Sequence, residues 1–127
     1  MNRVFLDTGY LIALEASDDQ HHEEAIQHWT MSLPDISSIV TTTYVFGEVV
    51  TFFNSRGHHA KAVEIGTRLL KSSRVEVVRV TEDHFGAGWR RFQDRSDKRC
   101  SLTDCISFIV MERRGLKEAL AFDQHFQ

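Results

Sequence analysis

Residues 3–16 read RVFLDTGYLIALEA and contain the pattern that decides the fold. A short apolar run stops at Asp7, and the turn-forming sequence Asp-Thr-Gly follows it, which is typical of a buried strand that ends in a turn. From Gly9 to Ala16 the apolar residues continue at a density typical of a short helix. This stretch predicts a central strand followed directly by a helix, with an acidic side chain at the end of the strand.

Strand-like and helix-like patterns alternate along the rest of the chain. Runs of β-branched or apolar residues predict further strands at 38–42, 75–80 and 119–122. Capping residues and helical periodicity predict further helices that begin at Asp18 or Asp19, near 45, near 60, after Thr81 and at 102, with the last one ending before Gly115. This order predicts an α/β fold, namely a three-layer α/β/α sandwich around a mostly parallel sheet of four to five strands.

Length and composition limit the class of protein. With 127 residues, 42% of them hydrophobic, and no Pro/Gly/Ser linker, the chain predicts one domain over residues 1–127. No apolar run approaches the roughly 20 residues of a membrane span, so a cytoplasmic protein without a membrane segment is expected. A net charge of −3 argues against binding nucleic acid through overall positive charge. Cys100 and Cys105 are too few for a disulfide scaffold and predict reduced structural thiols.

Two acidic residues follow predicted strands directly. Asp7 and Asp123 are each the first polar residue after an apolar run. The carboxyl ends of parallel strands lie at one edge of a sheet, where ligands bind, so both carboxylates are expected at that edge. The alternative is that each aspartate only caps a following helix.

Two more acids lie on predicted helices among apolar neighbours. Glu48 and Asp104 have mostly apolar residues three and four positions away, which predicts that both face inward. A buried carboxylate needs either an arginine partner or a metal ion. Four acids at one edge would repel each other, and a hard cation such as Mg²⁺ or Mn²⁺ would relieve that repulsion. Such a site suits phosphodiester hydrolysis.

At these positions the chain resembles the PIN-domain nucleases, and especially the VapC toxins of toxin–antitoxin pairs. Four segments resemble the family's acidic motifs in order: VFLDTGYLIAL at 4–14, TYVFGEVV at 43–50, SLTDCISF at 101–108 and AFDQHF at 121–126. The resemblance implies that the catalytic and metal-binding acids are Asp7, Glu48, Asp104 and Asp123. It also gives Thr8 and Thr103, each beside one of these acids, as candidate supporting hydroxyls.

The resemblance also implies an endoribonuclease that forms a homodimer and is inhibited by a cognate antitoxin protein. A basic run before the third motif is the candidate RNA-facing patch, with a solvated helix face that forms local ion pairs as the alternative. Its members are Arg90, Arg91, Arg95, Lys98 and Arg99. Trp89 and Phe92 lie at helical spacing, which predicts core positions for both and not base stacking.

Other functions stay open at this point. A phosphotransfer or phosphatase domain would use Asp7 as a nucleophile, but the haloacid-dehalogenase-like pattern expects a second acid where Gly9 stands. A PIN-domain nuclease that processes RNA outside a toxin system would have the same four acids. An inactive PIN-like module that binds RNA or protein would also keep the fold.

Overall fold

The computed structural model describes residues 2–95 and 100–122. Within these ranges four parallel strands form one sheet, six α-helices surround it, and none of these helices is long and apolar enough to cross a bilayer. The strands are β1 (Asn2–Leu6), β2 (Ile36–Thr42), β3 (Val75–Val78) and β4 (Ala119–Leu120). The helices are α1 (Thr8–Glu15), α2 (His22–Ser32), α3 (Thr43–Ser55), α4 (His59–Lys71), α5 (Glu82–Asp94) and α6 (Leu102–Arg113).

The order of the strands is β3-β2-β1-β4, so β1 is hydrogen-bonded on both sides, as its apolar run predicts. Phe5 pairs with Val40 of β2 on one side and with Ala119 of β4 on the other. Val4, Phe5 and Leu6 are buried, because an interior parallel strand has helices over both faces. Helix α1 contacts α2 and α3, α3 contacts α4, and α5 packs on α6, which agrees with the predicted α/β sandwich.

Two strands are shorter than the sequence pattern predicts. β3 ends at Val78 and not at residue 80, because the backbone N–H of Val80 donates to the Thr43 hydroxyl at 3.1 Å instead of continuing the ladder. β4 contains two residues where 119–122 were predicted. Its partner β1 ends at Leu6, so the ladder stops at the Leu6–Leu120 pair.

The predicted helix ends are largely confirmed. Thr81 caps α5 through a reciprocal pair of hydrogen bonds with His84. Gly57 and Gly115 follow α3 and α6 with φ values of +80° and +65°, a backbone conformation that favours glycine after a helix. The prediction for α2 was wrong, because neither Asp18 nor Asp19 caps it. The Asp19 carboxylate accepts the backbone N–H of His21 at 2.9 Å within the preceding turn, so the helix begins only at His22.

The prediction that Trp89 is a core residue was also wrong. Its side chain is 44% exposed and stacks on the half-buried Phe92 at a ring distance of 5.7 Å. The buried residues of α5 are Ala87 and Gly88, and a Cβ atom at Gly88 would lie 2.5 Å from the Ile106 side chain. Small residues let α5 approach α6 closely, and Trp89 therefore lies outside this contact.

Candidate functional site

Asp7 lies between the end of β1 and the start of α1. It is 6% exposed, and one carboxylate oxygen accepts the backbone N–H of Gly9 at 3.4 Å, so it caps α1. Its own backbone N–H donates to the Leu120 carbonyl of β4 at 3.1 Å. The two interpretations of Asp7 are thus compatible, because the same carboxylate stands at the carboxyl end of the sheet and caps a helix.

Glu48 lies on α3 and is joined to α1 by a hydrogen bond. The Thr8 hydroxyl donates to one of its carboxylate oxygens at 2.8 Å, across 40 positions of sequence. The prediction that Glu48 faces inward was wrong, because its side chain is exposed. Its neighbour Gly47 has no side chain to cover it, and the carboxylate lines an open cleft. Within residues 2–95 and 100–122, no arginine or lysine pairs with Glu48, so the salt-bridge alternative does not explain this acid.

Asp104 lies in the first turn of α6 and is half-buried. Its carboxylate accepts the backbone N–H of Ser101 at 3.1 Å, and the Ser101 hydroxyl accepts the backbone N–H of Asp104 at 3.0 Å. This reciprocal capping box fixes the carboxylate at the beginning of the helix. Asp104 therefore stabilises α6 whatever its chemical role.

An open cleft of about 590 Å³ lies between three of the elements that carry predicted acids. Thr8 of α1, Glu48 of α3 and Thr103 of α6 line it, together with apolar side chains that include Ile12 and Phe52. Asp7 and Asp104 are the chain neighbours of Thr8 and Thr103. The structure thus brings both predicted supporting hydroxyls and one predicted acid to a single cleft, with two more acids one residue away.

The fourth predicted acid, Asp123, lies outside the described residues. Among the residues that are described, no three Asp, Glu, His or Cys side chains lie close enough together to hold a metal ion. The convergence of all four acids on one cation therefore stays a prediction.

A second groove lies between α1, α2 and α4 and is mainly apolar. Its volume is about 410 Å³, and Leu11, Leu14, Trp29 and Leu69 are among its lining residues. None of the three predicted acids that the structure describes lines it. The predicted acids therefore make the open cleft beside Glu48, and not this groove, the candidate site.

Local contacts engage two of the five residues of the predicted basic patch. Arg91 forms an ion pair with Glu112 near the end of α6, at 2.7 Å. Arg95, directly after α5, donates to the sulfur of Cys100, just before α6, at 3.4 Å. Arg90 is exposed. Lys98 and Arg99 lie outside the described residues. The role of this run in binding RNA remains a prediction.

The two cysteines are free and buried, as the sequence predicts. Cys100 precedes the Ser101 cap, Cys105 follows Asp104, and their sulfur atoms lie 3.7 Å apart. Apolar packing between these positions fixes the direction in which the chain enters a helix. Burial, together with the hydrogen bond to Cys100, raises the pKa of Cys105 to about 11.

A stack of three rings beside the first acid was not found from the sequence. Phe122 packs between Tyr10 of α1, with ring centroids 5.3 Å apart and planes at 24°, and His21, at 4.7 Å and 17°. The Tyr10 hydroxyl is hydrogen-bonded to His28 Nδ1 at 2.7 Å. The sequence feature that could have indicated this stack is the position of Phe122, directly before Asp123 in the fourth acidic motif.

The ionisation of Tyr10 gives a spectroscopic test of this packing. Burial raises the pKa of Tyr10 from 10.0 to about 12, so the folded chain holds this proton at pH values where the unfolded chain has lost it. The free energy of unfolding is therefore expected to be insensitive to Tyr10 below pH 10 and to fall as pH rises from about 10 to about 12. A Tyr44→Phe variant leaves Tyr10 as the only tyrosine, and its phenolate absorbance reports the midpoint. A midpoint near 10 in the folded protein would contradict the buried position.

Comparisons with known proteins show the family and the fold. The model of the PIN domain family matches residues 4–127. The 23S rRNA-specific endonuclease VapC20 of Mycobacterium tuberculosis, from strains CDC 1551 and H37Rv, is 33% identical over 124 residues, which cover 97% of this chain and 91% of the relative. A crystal structure of Mycobacterium tuberculosis VapC20, described as a sarcin-ricin loop cleaving toxin, superimposes with a TM-score of 0.86 at 30% identity, covering 97% of this chain and 92% of that one.

Proposed function

Because the chain belongs to the PIN-domain family, we propose that it is a metal-dependent endoribonuclease that hydrolyses RNA phosphodiester bonds as the toxin of a type II toxin–antitoxin pair. The observation that carries the proposal is the open cleft lined by Thr8, Glu48 and Thr103, where Asp7 and Asp104 are the chain neighbours of the two threonines. The similarity to VapC20, which is named for cleavage of 23S rRNA, supports RNA as the substrate.

The predicted donor atoms are of the chemical type that a hard cation prefers. Asp7, Glu48 and Asp104 offer carboxylate oxygens, which Mg²⁺ and Mn²⁺ prefer as ligands. We propose that these three residues and Asp123 hold the metal. When bound, the cation would generate a nucleophilic water and neutralise charge on the attacked phosphate.

Residues of this chain orient the carboxylates of the proposed site. Each of the three described carboxylates accepts a hydrogen bond from a fixed donor: Gly9 for Asp7, Thr8 for Glu48 and Ser101 for Asp104. These donors restrict the rotation of the carboxylates before substrate arrives. Catalysis gains from groups that need no reorganisation during the reaction.

A cleavage assay tests the proposal. The purified chain is incubated with a ribosomal RNA stem-loop, with EDTA, Mg²⁺ or Mn²⁺, and the products are separated by length. We expect internal cleavage with either metal and none with EDTA. The melting temperature should also rise with millimolar metal, because binding to the folded state stabilises it. Absence of both cleavage and metal stabilisation would favour the inactive PIN-like module.

The hydrogen bond between Thr8 and Glu48 gives a sharper test. Thr8→Val keeps the shape of the side chain but removes the donor, and we expect kcat to fall about 10- to 100-fold, as is usual when a partner of a metal ligand is lost. Thr8→Ser restores the hydroxyl and should retain most of the activity. Rates are measured at saturating RNA, with circular dichroism to verify folding. Wild-type kcat in Thr8→Val would remove Thr8 from the site.

The partners follow from the same proposal. We propose a cognate antitoxin and a homodimer, in the cytoplasm where ribosomal RNA is found. A neighbouring gene for a small DNA-binding protein that blocks cleavage on co-purification would support the toxin assignment. Cleavage that no such partner inhibits would favour a PIN-domain nuclease that processes RNA outside a toxin system.

A further inference from the structure

We propose that Tyr44 and Phe52 of α3 are base-stacking residues, which hold unpaired nucleotides of an RNA substrate on either side of Glu48. This inference rests on the proposed function. It assigns substrate binding to two aromatic side chains that are not among the predicted acids and supporting hydroxyls.

The positions of the two rings follow from helix geometry. Tyr44 lies four residues before Glu48 on α3, and Phe52 lies four residues after it. Side chains four positions apart lie on the same face of a helix, separated by about 6 Å along its axis. Both rings line the open cleft together with the Glu48 carboxylate. A strand whose phosphate reaches Glu48 would therefore bring its neighbouring bases against these rings.

The apolar part of the cleft lining fits such a contact. A phosphate group is bound by charged and polar groups, yet Ile12, Tyr44 and Phe52 also line the cleft. Bases present flat apolar faces, and proteins bind single-stranded RNA by stacking these faces on aromatic rings. In a duplex the same faces are covered by neighbouring base pairs. The lining therefore suits unpaired bases better than the backbone of a duplex.

The side chain of Tyr44 is available to a ligand. It is half-buried at the wall of the cleft. Within residues 2–95 and 100–122, no hydrogen bond or ring contact joins this side chain to another residue. Its ring can stack on a base without first breaking a contact inside the protein.

The ring of Phe52 is fixed by its neighbours. It packs edge-on against the buried Phe53, with ring centroids 5.1 Å apart and planes at 77°. The guanidinium carbon of Arg56 lies 3.6 Å from the centroid of the Phe52 ring, and Arg56 also donates to the Phe52 carbonyl at 3.2 Å. Phe52 is only half-buried, so part of the ring faces the cleft. A ring held in this way loses little conformational freedom when a base stacks on it.

Arg56 adds a positive charge beside Phe52. It is exposed, and no carboxylate in the described part of the chain forms an ion pair with it. Guanidinium groups bind RNA phosphates and also stack on bases. Tyr44, Glu48, Phe52 and Arg56 thus follow one another at four-residue spacing, and the positive end of this row attracts the RNA backbone.

RNA binding without metal tests the two rings. Fluorescence anisotropy gives the affinity of the full chain, in EDTA and at low salt, for a labelled oligouridylate and for an oligomer of the same length without bases. We expect the wild type to bind the oligouridylate more tightly. Tyr44→Ala and Phe52→Leu should each weaken oligouridylate binding about 5- to 100-fold, the usual effect of losing one stacked base. Both variants should bind the abasic oligomer like the wild type.

Matched variants separate stacking from general damage to the protein. Tyr44→Phe keeps the ring and should retain wild-type affinity for the oligouridylate. Phe52→Leu keeps apolar contact with Phe53, and circular dichroism verifies that it is folded. Phe85→Ala is the control for loss of an aromatic ring elsewhere, because Phe85 is exposed on α5 and does not line the cleft. We expect this variant to bind like the wild type.

The charge of Arg56 is tested by salt dependence. Arg56→Gln should weaken binding of both oligomers, because the lost contact is with phosphate. The slope of log affinity against log salt concentration should become shallower by about one unit. An unchanged slope would remove Arg56 from the path of the RNA.

The outcomes distinguish the inference from the proposed function. Wild-type oligouridylate affinity in both Tyr44→Ala and folded Phe52→Leu would overturn base stacking, and so would an equal loss of affinity for the abasic oligomer. Metal-dependent cleavage by the wild type would still support the nuclease assignment in either case. If the rings bind oligouridylate as expected but the wild type cleaves no RNA with Mg²⁺ or Mn²⁺, base stacking stands and the proposed function fails.

Discussion

Asp7→Asn is expected to lower metal-dependent RNA cleavage by at least about 10³-fold, while the protein stays folded. Charge stabilisation by a bound metal amounts to several kcal/mol, and each tenfold in rate corresponds to about 1.4 kcal/mol. The amide is neutral and a poor ligand for a hard cation, so Mn²⁺ affinity should fall together with kcat. Cleavage rates and calorimetric titrations of the same preparations measure both effects.

The choice of asparagine separates chemistry from folding. Asp7 accepts the Gly9 N–H as the cap of α1, and an asparagine side chain can accept the same hydrogen bond. Asp7→Ala would remove the cap as well, at about 1 kcal/mol of stability. Thr81→Ala is the matched control at α5, because it removes a capping hydroxyl from a helix that carries none of the four acids. Unchanged cleavage by Asp7→Asn would contradict the metal site.

Gly88→Ala is expected to destabilise the fold by about 1–3 kcal/mol, the usual effect of overpacking. The new Cβ would lie 2.5 Å from the Ile106 side chain and 3.2 Å from its backbone N and Cα atoms, so α5 would have to move away from α6. The higher helix propensity of alanine, worth about 1 kcal/mol, offsets only part of this cost. Since α6 carries Asp104, metal affinity should fall as well.

Gly86→Ala in the same helix is the control for the effect of helix propensity alone. Its Cβ would meet only the Arg90 guanidinium at 3.6 Å, an ordinary contact. We expect this variant to be at least as stable as the wild type in urea or thermal unfolding. If both variants shifted the melting temperature equally, the close contact between α5 and α6 would be disproved.

Local sequence patterns predicted those parts of the fold that local chemistry determines. The apolar run before Asp7 predicted an interior strand, and Thr81 and Gly115 predicted a helix start and a helix end. The exposure of Trp89 was missed because it depends on how closely Gly88 approaches Ile106, a contact between distant segments.

The same distinction between local patterns and contacts between distant segments applies to the candidate site. The rule that ligands bind at the carboxyl ends of strands predicted that Asp7 lies at that edge of the sheet, and the structure places it there as the cap of α1. Its role as a ligand stays a prediction. Helical spacing predicted a buried Glu48, but the shape of the cleft and the small neighbour Gly47 leave its carboxylate accessible. The stacking of Phe122 on Tyr10 joins residues more than a hundred positions apart, and no pattern within either segment encodes it.

The strand order also has a consequence for synthesis. β1 is translated first and β4 after the other described strands, yet they are neighbours in the sheet. Throughout most of translation β1 therefore has one unpaired edge, and the nascent chain lacks the segment that leads to the fourth acid. Pairing over such a sequence separation is a slow step of folding. Under the proposed function, in which Asp123 takes part, RNA cleavage is expected only after these segments have been translated.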